Sequence, residues 1–283
     1  MKPTKNATMY WRLLAALFCI FFSVALLLVN LYGEFSNIRK EGLGYESPEF
    51  IRFDNDKPLS YEDSIKKLES IPKKSDRQYA YEANQIVQQS LAHIEWKKVD
   101  PVEYRQRIPI WENYFLYFAG ELSNLPQFER YHFVDYKRSI KRGIGICGDA
   151  SMVLSQVLDN ANIQNHIVSF DQHVITEAIL SDGEHMLLDP DFGIIMNIGL
   201  DELIRNPEKA YSYYIKGGFN KQETMSLVHI YKSEYKIFDD VYSFMSKRYI
   251  FEYTTYFIKW PLPIILLFIG YKFARKKKIN KST

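Results

Sequence analysis

Apolar residues are distributed along the chain in three distinct patterns. Between Arg12 and Glu34 lie twenty-one uncharged residues, including LLAALFCIFFSVALLLV, long enough as a helix to cross a bilayer. From Cys147 onward, Ala150, Val153, Leu154, Val157, Leu158 and Ala161 recur at intervals of three and four, the spacing of one buried helical stripe. HVITEAIL (173–180) and HMLLDPD (185–191) then read as two strands around Ser181-Asp182-Gly183-Glu184, a hairpin signal of the Asp-Gly kind. Asn160, Asn162 and Asn165 mark the turn before them, and Ile167 to Phe170 opens a further strand. Weaker helical spacing covers Tyr61 to Leu68, Asp76 to Trp96, Trp111 to Leu122, Leu200 to Ala210 and Glu223 to Met245. Asn206-Pro207 and Gly217-Gly218 interrupt the later helices as loops, and Tyr114, Phe115, Tyr117 and Phe118 are expected in a core.

Register decides which residues of the hairpin share a face. A two-residue turn at Asp182-Gly183 would put Asp189 on the opposite face from His173. A three-residue loop of Ser181, Asp182 and Gly183, with Gly183 left-handed in a bulge, makes His173 and Asp189 diagonal neighbours on one face, within side-chain reach. The odd loop is the expectation. It sets Asp191 directly opposite His173, an alternative partner for the ring, and Glu177 on the same side as His173.

These positions carry the candidate chemistry. Gly143 and Gly145 precede Cys147, which falls in or just before the first turn of its helix, where unpaired N–H groups and the helix dipole favour a thiolate. Asp149, two residues on, opposes it by charge. A thiol nucleophile needs a base and a group that orients the base, and His173 and Asp189 supply the types. A backbone N–H of Cys147 can serve an oxyanion, with Asn113 or Tyr114 as candidates for a second donor. Cys147, His166, His173 and His185 are also zinc-binding types, but their spacing is unlike any compact ligand pair and His185 falls at the turn end of the hairpin. No metal is expected on them.

Gly145-Ile146-Cys147 running into a helix, a strand opening at His173 with Glu177 four residues on, and Leu188-Asp189-Pro190 after a Gly-containing turn resemble the transglutaminase-like superfamily. The likeness covers roughly fifty residues, with Ala80 to Trp96 similar to the family's lead-in helix; Ile175 and His185 stand where members often carry aromatics. The resemblance implies an α+β fold with a papain-like core, the cysteine helix packed on an antiparallel sheet, and Cys147, His173 and Asp189 as catalytic residues. It also implies acyl transfer without a cofactor, hydrolysis being common among microbial members.

Charge then places the chain. Overall the net charge is +2, yet Lys2, Lys5, Arg12, Lys272, Arg275, Lys276, Lys277, Lys278 and Lys281 stand in two tails without acids, leaving the remainder at −7. An acidic middle argues against nucleic acid as a partner. Residues 253–271 hold a second apolar run, IILLFIGY, preceded by Lys259, Trp260, Pro261 and Pro263 and followed by the basic tail. The first run could be a cleaved signal peptide, but no small-x-small site follows it, which favours an anchor.

The expected organisation is therefore a cytoplasmic tail at 1–12, a transmembrane helix at 13–33 and a linker with one short helix at 34–75. A transglutaminase-like domain at 76–252 follows, then a transmembrane helix at 253–271 and a basic cytoplasmic tail at 272–283. Both termini would be cytoplasmic and the middle periplasmic or extracellular. The outer part has one thiol, Cys147, and no possible internal disulfide, since Cys19 lies in the first span. Two functions are expected in competition: a membrane-anchored bacterial cysteine peptidase, amidase or acyltransferase acting on envelope proteins or peptides, or a catalytically silent scaffold in envelope assembly.

Overall fold

The computed structural model describes residues 5–44, 51 and 57–275, with side chains from residue 9. Lys2, Lys276, Lys277, Lys278 and Lys281 of the expected basic tails, the side chain of Lys5, and Pro48 of the expected linker lie outside the described residues. Helix α1 (Lys5–Phe35) comes first, then α2 (Tyr61–Glu69), α3 (Asp76–Ser90) and the short strand β1 (Ala92–His93). Next are α4 (Tyr114–Leu122), α5 (Pro126–Glu129), α6 (Tyr136–Arg142) and strand β2 (Ile144–Gly145). Helix α7 (Cys147–Asn160) leads to strands β3 (Gln164–Phe170), β4 (His173–Ile179), β5 (His185–Asp189) and β6 (Ile194–Met196). Helices α8 (Leu200–Arg205), α9 (Lys209–Lys216) and α10 (Lys221–Ile230), strand β7 (Tyr235–Phe238), and helices α11 (Val241–Ile258) and α12 (Pro261–Arg275) complete it.

Contacts divide the chain into two units: residues 39–106 with 132–250, and the chain up to Ile38 with 107–131 and the chain from Phe251. The first is a mixed helix-and-sheet unit. Its five-stranded sheet runs β6-β5-β4-β3-β7 with antiparallel neighbours throughout, and β1 pairs with β2 in parallel. The apolar stripe of α7 packs with α3 on one face, where Val153, Leu154 and Leu158 meet Ala178, Met186 and Leu188. On the other face Val168, Ile175 and Leu187 meet Leu203, Ala210, Tyr214 and Leu227 of α8 to α10. Each fully buried aliphatic side chain here contributes roughly 1.5–3 kcal/mol.

The β4–β5 hairpin has the odd loop. Thr176 pairs with Leu188 and Ile179 with His185, and Gly183 is left-handed at φ +83. Leu180 and Glu184 close the loop, with Gly183 N–H donating to Leu180 O at 2.9 Å. A bulge glycine can occupy this region without the Cβ penalty, which fixes the register by chemistry local to three residues.

Several element boundaries differ from the periodic pattern. The helix expected to run to Trp96 stops at Ser90, because Leu91 is extended and Ala92 N–H donates to Gly143 O at 2.8 Å, starting β1. The helix expected from Glu223 to Met245 is broken: α10 ends at Ile230, and Tyr235–Phe238 leaves as β7 to pair with β3. The one expected over Leu200 to Ala210 splits into α8 and α9 around Asn206-Pro207. Helix α4 begins at Tyr114 rather than Trp111, since the Asn113 side chain accepts from the N–H groups of Phe115 and Leu116.

The second unit joins α1, α4, α5, α12 and the second half of α11. Met9–Phe35 is long and apolar enough to cross a membrane. Helices α11 and α12 meet the same test only as a pair, bent by 45° at their break. Ser23 Oγ donates to Pro263 O at 2.5 Å and Asn30 Nδ2 to Lys259 O at 2.7 Å, both buried. A Cβ on Gly270 would lie 2.9 Å from Ile20, so α12 approaches α1 closely at a small residue. Residues 107–131 group here because Tyr114 Oη donates to Lys259 O at 2.9 Å, Tyr256 Oη to Glu112 Oε1 at 2.6 Å, and Lys259 Nζ to Glu112 O at 3.1 Å.

Candidate active site

Helix α6 ends at Gly143, left-handed at φ +76, and one strand pair later Cys147 opens α7. Gly145 contributes by space rather than by angle, since a Cβ there would come within 2.9 Å of the Asp149 Cβ. At the head of the helix the Cys147 N–H has no intrahelical partner, and the dipole favours negative charge. Cys147 is half-buried.

His173 opens β4 and is buried. Its Nε2 meets Asp189 Oδ2 at 2.7 Å, and a ring nitrogen lies within 4.8 Å of the Cys147 sulfur, for which Nδ1 is the nitrogen left. Burial alone would lower the imidazole's affinity for a proton. The Asp189 charge, its hydrogen bond and the thiol outweigh that, and His173 is held well above its ordinary value. The structure thus brings together Cys147, His173 and Asp189, the three positions singled out in the sequence.

Asp189 is wholly buried and fully engaged. Oδ2 also accepts from Tyr214 Oη at 2.5 Å, while Oδ1 accepts from the N–H groups of Asp191 at 3.1 Å and Phe192 at 3.3 Å. Tyr214 and Tyr231 share a hydrogen bond at 2.5 Å, and burial followed by the Asp189 charge pushes both phenols well above their ordinary range. They therefore stay neutral donors. Phe192 packs edge-on to the imidazole at 5.6 Å between centroids. Asp191 is not the ring's hydrogen-bond partner; it lies nearby, with His93 Nε2 at 3.7 Å from its Oδ1.

Asp149, read from sequence as opposing a thiolate, is neutralised in place. His132 Nδ1 lies 2.8 Å from its Oδ2, Arg142 Nη2 lies 3.9 Å from Oδ1, and Ile146 N–H donates to it at 3.0 Å. Burial would raise this carboxyl, but His132, Arg142 and the backbone bond together leave it below its ordinary value. Trp96 stacks on His132 at 4.3 Å, and the Arg142 guanidinium lies over Trp96 at 5.3 Å and Phe133 at 4.8 Å.

Other candidates are placed elsewhere. Asn113 and Tyr114 are corrected as oxyanion donors, because Asn113 caps α4 and donates to Thr255 Oγ1 at 3.2 Å while Tyr114 donates to Lys259 O. His166 and His185 flank Glu177, at 3.8 and 3.0 Å, rather than Cys147. Glu177 also accepts from Leu200 N–H at 2.8 Å and so ties β4 to the start of α8. Among the described residues, the thiol, ring or carboxylate groups that converge as possible metal ligands are those of Cys147, His173 and Asp191.

Tyr214, Tyr231, His132, Arg142, Trp96 and His93 belong to this region without having been read from the sequence. The one available signal was Asp149 itself, since a carboxylate inside a buried helical stripe requires cationic partners. No protein-family model, no curated protein and no solved structure matches the chain.

Proposed function

We propose that the chain is a membrane-anchored thiol enzyme with a transglutaminase-like core. It acts on amide bonds of envelope proteins or peptides outside the cytoplasm. The observation that carries this reading is one buried imidazole bonded on one side to Asp189, with a half-buried thiol at a helix N-terminus within 4.8 Å of a ring nitrogen. His173 takes the Cys147 proton at Nδ1, Asp189 holds the ring and stabilises the imidazolium, and the thiolate attacks the substrate carbonyl. The Cys147 N–H donates to the oxyanion as the tetrahedral centre forms. Collapse expels the amine, which takes the proton from His173, and leaves a thioester on Cys147. Water then releases the acid; in the same step an amine would give a cross-link, and hydrolysis is the favoured fate.

The reading includes a two-pass topology with both tails cytoplasmic, in which α1 is one span and the bent α11–α12 pair the other. Two features support it: α1's buried Ser23 and Asn30 find acceptors at the α11–α12 break, and the tails are basic. A cleaved leader would strip those acceptors of their donors.

The test is release of nitrophenolate from a p-nitrophenyl ester by the full chain in detergent. The wild type is expected to give a burst equal to one acyl group per chain, and Cys147→Ala none. If Cys147→Ala, still folded, supports growth or envelope assembly as well as wild type and neither protein gives a burst, the domain is a silent scaffold instead.

A further inference from the structure

The acyl-transfer reading leaves one buried group unused. Asp191 is fully buried, yet one ligand atom each from Cys147, His173 and Asp191 lies within 4.8 Å of the other two. A carboxylate at this range works against a thiolate unless a cation stands between them.

We propose that Cys147 Sγ, His173 Nδ1 and an Asp191 carboxylate oxygen bind one zinc ion, and that the metal-bound form is a blocked state of the thiol site. The donor set is one that zinc takes: thiolate, neutral imidazole and carboxylate, with bond lengths of about 2.0–2.3 Å. Those bonds in a tetrahedron set ligand atoms about 3.3–3.6 Å apart, so the three need to draw in by about 1.5 Å at most. Thiolate and carboxylate together balance the ion's charge.

A second observation points the same way. His173 Nε2 is 2.7 Å from the wholly buried Asp189, which is the outer-shell arrangement that fixes the tautomer of a metal-bound imidazole. Asp191 is itself pinned by its N–H to Asp189 Oδ1 at 3.1 Å. Cys147 is half-buried while His173 and Asp191 are buried, so the sulfur is the ligand an entering ion meets first. Binding displaces the thiol proton and occupies both the sulfur and the nitrogen that would receive it.

The ligand set stands on geometry alone. Its role as a brake rests on the acyl-transfer reading. The experiment therefore separates the two, using the full chain in detergent titrated with zinc chloride and cobalt chloride. One zinc per chain is expected, with a thiolate-to-cobalt charge-transfer band and the intense visible bands of four-coordinate cobalt. Zinc should also protect Cys147 from iodoacetamide until a chelator is added. Asp191→Asn should weaken zinc binding by more than the ~10–100-fold that loss of an outer-shell partner costs. Cobalt bound without the thiolate band, or equal zinc affinity in Asp191→Asn and wild type, overturns the site. Should the Asn variant fail to fold, the wild-type cobalt spectrum decides alone. A positive spectrum with no acyl burst from the metal-free protein keeps the site and removes the brake.

Discussion

Two imidazole–carboxylate pairs stand close to the thiol helix, and they do opposite work. His173–Asp189 and His132–Asp149 have similar contacts, 2.7 and 2.8 Å, and both carboxylates are wholly buried. The difference lies in what each ring and each carboxylate meets next. The His173 ring lies beside the thiol, and its carboxylate accepts from the neutral Tyr214. The His132 ring is stacked under Trp96, and its carboxylate is shared with a guanidinium and a backbone N–H. The first pair can therefore pass a proton at the sulfur. The second holds a charge still, and cancels a carboxylate that would otherwise sit uncompensated in the first turn of α7.

Breaking the pairs separately should expose that division of labour. His173→Ala is expected to slow acylation of Cys147 by about 10²–10⁴-fold, the usual worth of a general base. His132→Ala should slow it by only about tenfold, near 1.4 kcal/mol, through the Asp149 charge it leaves less compensated. Comparable losses at the two positions, measured as nitrophenyl-ester burst rates, would show the contrast to be wrong.

Stability should respond in the other direction. Arg142→Met leaves Asp149 buried with His132 and the Ile146 N–H and should cost about 3–5 kcal/mol, read as a shift of the denaturant midpoint. Tyr214→Phe removes one donor to Asp189 and should cost less, about 1.5–3 kcal/mol. A larger loss for Tyr214→Phe than for Arg142→Met would reverse the assignment of roles.

The smallest effect is confined to acid. The Asp149 carboxyl lies below its ordinary value in the folded chain, so its stabilisation is complete above the unfolded carboxylate pKa of about 3.9. It is lost as pH falls through the folded value. Denaturant midpoints measured from neutral pH downward should fall less steeply below that point in Asp149→Asn than in wild type. Parallel curves would remove Asp149 from the acid response.

The hairpin shows how much could be read before any coordinates. An Asp-Gly turn with an odd loop was enough to set the register, because that choice is made by one left-handed glycine and the period of a strand. Cys147, His173 and Asp189 follow from the register and a helix stripe. Long-range partners could not be read this way: Tyr214 reaches Asp189 from a helix 25 positions downstream of it, Tyr231, 42 positions downstream, bonds Tyr214, and neither carries a local mark of that role. Helix ends depart from the periodic pattern where a strand pairing overrides it, at Ala92 and at Tyr235. The mixed fold with its antiparallel sheet and apolar N-terminal helix was legible; the grouping of residues 107–131 with the chain ends rests on bonds to Thr255 and Lys259 that no local pattern announces.

Covalent chemistry at one sulfur is read from the intact mass of the full chain after brief exposure to a p-nitrophenyl ester. A single acyl adduct is expected, mapped to Cys147, that forms faster than on a free thiol and then decays by hydrolysis. An adduct that forms no faster than on free cysteine, or that forms equally well in His173→Ala, would contradict it.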